Sequence, residues 1–279
     1  MTAPTASITA STAGPRPNPV FEYARYPSLQ GRHVVVTGGG TSIGAALVEA
    51  FVVQGARVNF IDIADAASQA LVDRLSAGLA PGAPAPRYTR CNLMDLDALA
   101  ATMADLQARD GTVDVLVNNA ASDARYIFGQ ISAQDWETSM AVNLRHMMFC
   151  AQAVAPGMQA AGGGAILNLG SISWHLALPN LVMYMAAKAG IEGMSRGMAR
   201  DLGAHLIRVN SIIPGSVTSP KYVQDWHTPE LEARILAGQC LQARVDCADI
   251  AAMALFLASD QAARCSGREY FVDAGCFGA

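Results

Sequence analysis

Tyr184 and Lys188, in the run YMAAK, stand four residues apart, so on a helix they share a face. That pair can make a base. A free tyrosine, with a pKa of about 10, is a poor base at neutral pH. An ammonium roughly 4–5 Å away, at an effective dielectric near 20, favours the phenolate by several kcal/mol, a shift of about two units or more. An ordinary amphipathic helix can carry the same two residues, so the pair needs a second signal.

The second signal is VVVTGGGTSIGAAL, Val34–Leu47. Glycine at this density costs backbone entropy. A short apolar strand feeding a glycine turn and then a helix accounts for it. The helix N-terminus turns free N–H groups toward an anion, and the glycines let a pyrophosphate come close. The next apolar run, RVNFIDI, carries Asp62, spaced as an acid that accepts from the adenosine ribose hydroxyls. For Asp62 alone, a solvated strand-end carboxylate is the plainer reading; behind the glycine turn, ribose binding is favoured.

These residues need a scaffold. From Gly31 onward, short apolar runs (HVVVTG, RVNFIDI, RYTRCNL, VDVLVNNAA, AILNLGSIS, IRVNSIIPG, EYFVDAG) alternate with helical patterns. Ser132 is placed to cap one long helix, SAQDWETSMAVNLRHMMFCAQAVAPGMQAAGGG. The stretch between IRVNSIIPG and DIAAMALFLASD reads as irregular. The alternation predicts an α/β chain: a single Rossmann-like, doubly wound parallel sheet with helices on both faces. Residues 1–28, rich in Thr, Ala, Ser and Pro, read as a flexible extension and 29–279 as the domain. The alternative is an arm packing on a partner subunit.

Hydrophobic residues are 52% and charged residues 15% of the chain, enough for a large core. The net charge of −4 has no basic block, so no nucleic-acid partner is expected. No run is of membrane-spanning length, so no membrane partner is expected either. Six cysteines without metal-ligand spacing predict no metal and fit a reducing cytoplasm.

The motifs resemble the short-chain dehydrogenase/reductase family from about Tyr26 to the C-terminus. Its signature TGxxxGxG falls on TGGGTSIG, with Ser42 in place of the middle glycine. A serine fits there where φ is negative, capping the helix or donating to phosphate. The family's NNAG reads NNAA here. The resemblance implies a dinucleotide held by Gly38, Thr41, Ser42, Ile43, Asp62, Ile63, Asn92, Leu93, Asn119 and Ala120. It adds Tyr184, Lys188 and, from IIPGSVTS, Pro214, Gly215, Val217 and Thr218. Asn92 would stand beside the adenine and Thr218 near phosphate. The cofactor implied is NAD: Asp62 repels a 2′-phosphate, and neither Thr41 nor Ile63, where relatives often keep a basic residue, neutralises it.

The resemblance also implies a catalytic set of Asn143, Ser171, Tyr184 and Lys188. Ser171, thirteen residues before Tyr184, would orient the substrate oxygen. Asn143 would bend the long helix and hold a water that relays protons to the lysine. Lys188 would hold the nicotinamide ribose.

YPSL, NLRHMMFCAQAVAPGM, GSISWHL and AAKAGIEGM are similar to sugar-oxidising members, the aldose dehydrogenases of the D-xylose, L-arabinose or L-fucose type. These turn the anomeric carbon into a lactone. The implied substrate residues are Ser122, Arg125, His146, Ser171, Ser173, Trp174, His175 and Tyr184. Core packing or a subunit contact is the alternative role for His146 and Trp174, and for Arg145. A sugar-acid dehydrogenase and a non-catalytic dinucleotide sensor are the rival functions. Small residues on the helix of Tyr184 imply a homotetramer, as in similar enzymes.

Overall fold

Three successive valines in the first strand show how the sequence builds two cores. Val34 and Val36 belong to one apolar cluster and Val35 to the other, on opposite faces of the same strand. All three are fully buried, as both sides of a parallel sheet require.

The computed structural model describes residues 22–219, 223 and 228–278. The strands are β1 (His33–Thr37), β2 (Arg57–Asp62), β3 (Arg87–Arg90), β4 (Val115–Asn118), β5 (Gly164–Leu169), β6 (Ile207–Pro214), β7 (Val217–Thr218), β8 (Val245–Asp246) and β9 (Glu269–Val272). The helices are α1 (Ser42–Val53), α2 (Asp65–Ala77), α3 (Leu96–Asp110), α4 (Ala133–Met140), α5 (His146–Ala160), α6 (Val182–Leu202), α7 (Pro229–Ala237) and α8 (Cys247–Ala258).

Seven strands form a parallel sheet in the order β3-β2-β1-β4-β5-β6-β9. The expected doubly wound sheet is therefore the observed one. Strand order reverses between β1 and β4, and the crevice beyond their carboxyl ends is where such sheets bind ligands. Helices α1, α2 and α8 contribute to the core on one face, and α3, α5 and α6 to that on the other.

Two features differ from the sequence reading. The stretch read as irregular contains α7, and β7 pairs with β8 in a separate ribbon. The long helix is also interrupted. Ser132 does cap it, in a box with Asp135, but a π-turn at Ala141–Arg145 separates α4 from α5.

Residues 1–21 of the N-terminal extension lie outside the described residues. From Ala24 the chain is fastened to the body: Gln54 accepts from the Tyr26 N–H at 2.8 Å and donates to the Ala24 carbonyl at 2.9 Å. No helix among the described residues is long and apolar enough to cross a membrane.

Candidate active site

At the carboxyl end of β1 the backbone turns sharply at Gly38, with φ +65°. A Cβ there would lie 2.6 Å from the Ala120 Cα, so this turn and the segment after β4 fit together only with glycine. Gly44, in the first turn of α1, would meet the Gly38 carbonyl at 1.8 Å, which fixes helix against strand. Asn119 fastens the arrangement, donating to the Thr37 and Gly38 carbonyls at 3.1 and 2.9 Å.

Ser42 departs from expectation. Its φ is +49°, in the left-handed region, and the helix begins without a side-chain cap at Thr41. A non-glycine residue there costs roughly 1–2 kcal/mol. Ser42→Gly should therefore raise the melting temperature of the free protein by about 2–4 °C, read by circular dichroism. An unchanged or lower value would refute the strain.

The Asp62 carboxylate ends β2 and is held by backbone: Oδ2 accepts from Gly40 at 2.8 Å, and Oδ1 from Ile63 and Ala64 at 2.7 and 3.0 Å. Asn92 makes a turn, its Oδ1 accepting from the Met94 N–H at 3.1 Å, while the Leu93 side chain is buried in the core. Thr218 Oγ1 is buried without a hydrogen-bond partner among the described residues. A glycine-lined turn, a fixed carboxylate and an unpaired hydroxyl together fit a dinucleotide.

A cleft of about 870 Å³ opens beside this turn. It brings together Ser42 and Ile43 from α1, Ser171 and Ser173 after β5, and Tyr184 from α6. Gly215 and Val217 border it, as do Asp123 and Arg125. Four other expected substrate residues do not line it. His146 is fully buried, with Nε2 3.1 Å from the Ala120 carbonyl, and burial pushes its pKa down to about 4. Trp174 and His175 turn the other way, onto Glu192. Ser122 instead gives its backbone N–H to Asn143 Oδ1 at 2.8 Å.

Asn143 sits inside the π-turn, buried, so the expected bend in the long helix is this local widening. Arg145 donates to the Met94 carbonyl at 2.7 Å and does not line the cleft. The sequence reading missed Arg234 and Gln239, which line the cleft. They fall in the stretch read as irregular, where the capped pattern TPELEARILAG is the signal that was available.

Lys188 Nζ donates to the Leu169 carbonyl at 2.7 Å and lies 5.4 Å from the Tyr184 ring centre. Burial pushes Lys188 down to about 7. Burial also pushes Tyr184 up to about 12, opposed by its hydrogen bond with Ser171 and reinforced by the Asp123 carboxylate. The ammonium-lowered phenol expected from spacing is thus not the state of the free chain; desolvation favours the neutral form of both groups.

Residues 38–276 match the family model described as Enoyl-(Acyl carrier protein) reductase. Over 252 residues the chain is 52% identical to the D-xylose 1-dehydrogenase of Caulobacter vibrioides, covering 90% of this chain and 98% of that protein. It is 35% identical over 250 residues to the D-threitol dehydrogenase of Mycolicibacterium smegmatis, covering 88% and 93%. Among solved structures, the 7α-hydroxysteroid dehydrogenase complexed with NADH and 7-oxo glycochenodeoxycholic acid superposes with a TM-score of 0.83 at 31% identity, over 90% of this chain and 96% of that one.

Proposed function

The chain belongs to the short-chain dehydrogenase/reductase family, and from that premise we propose that it oxidises a neutral sugar ring at C1 to the lactone, with NAD. The observation that carries the reading is Ser171 and Tyr184 facing one cleft, with Lys188 buried behind them on α6. The half-identical D-xylose 1-dehydrogenase supports the substrate class.

In this reading Tyr184 Oη takes the proton of the C1 hydroxyl, and Ser171 Oγ holds that oxygen in place. Lys188 binds the nicotinamide ribose. Asn143 fixes the Ser122 backbone and supports the proton relay. A nicotinamide held in this cleft would supply the hydride acceptor and a positive charge that favours phenolate. Gly38, Ser42 and Thr218 would hold the phosphates, and Gly215 and Val217 would border the nicotinamide.

NAD is proposed over NADP because Asp62 ends β2 as a fixed carboxylate, spaced behind the glycine turn to accept from the adenosine ribose hydroxyls. Arg90, its neighbour across the β2–β3 pair, is engaged by Asp65 and the Ile63 carbonyl. A 2′-phosphate would meet a fixed carboxylate, a like-charge contact of several kcal/mol, so kcat/KM should favour NAD by roughly 100-fold. Equal or higher kcat/KM with NADP would refute it.

One observation favours the sugar-acid reading: two arginines, Arg125 and Arg234, line the cleft, and Arg is the side chain suited to a carboxylate. Against it, Asp123 lines the same cleft. The deciding measurement is kcat/KM for D-xylose, L-arabinose and L-fucose beside their aldonates, with Arg125→Ala and Arg234→Ala. A preferred aldonate lost selectively in either variant would replace the lactone reading.

We also propose a cytoplasmic homotetramer. All six cysteines are free, which suits a reducing compartment. Met148 and Phe149 stand exposed on α5, and the small residues Ala186, Gly193 and Gly197 are exposed on α6. Light scattering should give four times the chain mass; a monomer would exclude the assembly.

A further inference from the structure

Tyr184, Lys188 and Glu192 follow one another at four-residue spacing on α6, so the three share one face. The proposed chemistry uses the first two. Glu192 is 6% exposed, and a carboxylate that deep is costly unless hydrogen-bonded. Its partners are Trp174 and His175. Trp174 Nε1–H donates to Glu192 Oε1 at 2.7 Å, and His175 Nε2 lies 3.1 Å from the same oxygen.

Both partners belong to the short turn that carries Ser171. Ser171 opens that turn, its Oγ accepting from the Ser173 N–H at 3.1 Å and donating to Ser173 Oγ at 3.0 Å. Just before it, Lys188 holds the Leu169 carbonyl at 2.7 Å. Helix α6 therefore grips the segment on both sides of Ser171, through Lys188 before it and Glu192 after it. The far side of the grip is packed: the Trp174 and His175 rings lie 3.8 Å apart, and Phe277 closes on His175 at 4.5 Å.

We propose that Glu192 is a positioning residue for the reaction, holding Ser171 at its distance from Tyr184 through Trp174 and His175. The inference rests on the proposed roles of Ser171 and Tyr184. It gives Trp174 and His175 a different task from the sugar contact expected of them. They are the handle by which the helix of the base sets the place of the serine.

The test compares Glu192→Gln, which keeps an acceptor oxygen for the indole, with Glu192→Leu, which does not. With D-xylose and NAD, Glu192→Leu should lose about 30-fold in kcat, the scale of a misplacement well under 1 Å to about 1 Å. Its KM for NAD should stay within about twofold, and Glu192→Gln should keep kcat within about threefold. Folded Glu192→Leu with wild-type kcat, or Glu192→Gln as slow as Glu192→Leu, overturns the proposal. If Glu192→Leu does not fold, Trp174→Phe decides, since it removes one donor and keeps an aromatic ring. A loss of about fivefold in kcat supports the grip, and no loss overturns it. If the wild type turns over no sugar, the functional reading fails separately. The inference is then read from the emission of Trp174, taken as the difference from Trp174→Phe: a red shift in Glu192→Leu but not Glu192→Gln supports it, and unchanged emission in both overturns it.

Discussion

Tyr184→Phe is expected to lower kcat by about 10³-fold or more while dinucleotide binding stays within about twofold. The phenol oxygen is the proposed base, and among the described residues no other side chain lining the cleft combines a titratable oxygen with a hydrogen bond to Ser171. The ring itself remains, so the packing of α6 is preserved. Steady-state kinetics and NADH fluorescence titration check the two halves. Wild-type turnover would remove Tyr184 from the mechanism, and lost binding with lost turnover would make its role structural.

Lys188→Met should act on two quantities at once. Loss of the ammonium is expected to cut kcat/KM by about 10²-fold or more and to raise the KM for the dinucleotide, because one group serves base and ribose. It should also expose the cost of burying the lysine. The Lys188 pKa is about 7 in the folded chain, below its ordinary 10.5. Between those values the unfolded chain binds more protons than the folded one, so stability rises with pH. Measured against Lys188→Met, the wild type should gain a few kcal/mol between about pH 7 and 10.5, with the full penalty reached as pH falls to about 7. A pH-independent difference would mean that the ammonium is well solvated.

The sheet was readable because its central strands β1, β4, β5 and β6 are apolar runs between turn residues, and parallel strands buried on both faces leave that mark. The spacing of Tyr184 and Lys188 was equally plain. What spacing could not convey is direction. Trp174 and His175 follow the serine closely in sequence, yet in the short turn they face Glu192 and not the cleft. His146 is three residues past Asn143, but its side chain is sealed beneath Ala120. Ser42 sits where a glycine is usual in the family, and only the backbone angle reveals that the serine took over the strained conformation. The protonation of Tyr184 in the free chain is hidden for a different reason: Coulomb attraction can be drawn from a sequence, whereas desolvation requires knowing what surrounds the pair.

The π-turn at Ala141–Arg145 puts α4 and α5 out of phase with each other. An α-helix advances about 100° per residue, so one extra residue in a turn rotates everything beyond it by about that angle. Beyond that offset the apolar stripe of α5, made by Met147, Cys150, Val154 and Met158, is buried. Removing a single residue from the turn would restore a regular helix and swing the stripe toward solvent, displacing a core that lies up to four turns away. Insertions or deletions in this segment should therefore be far less tolerated than in the loop at 121–131, although both border the same serine and asparagine.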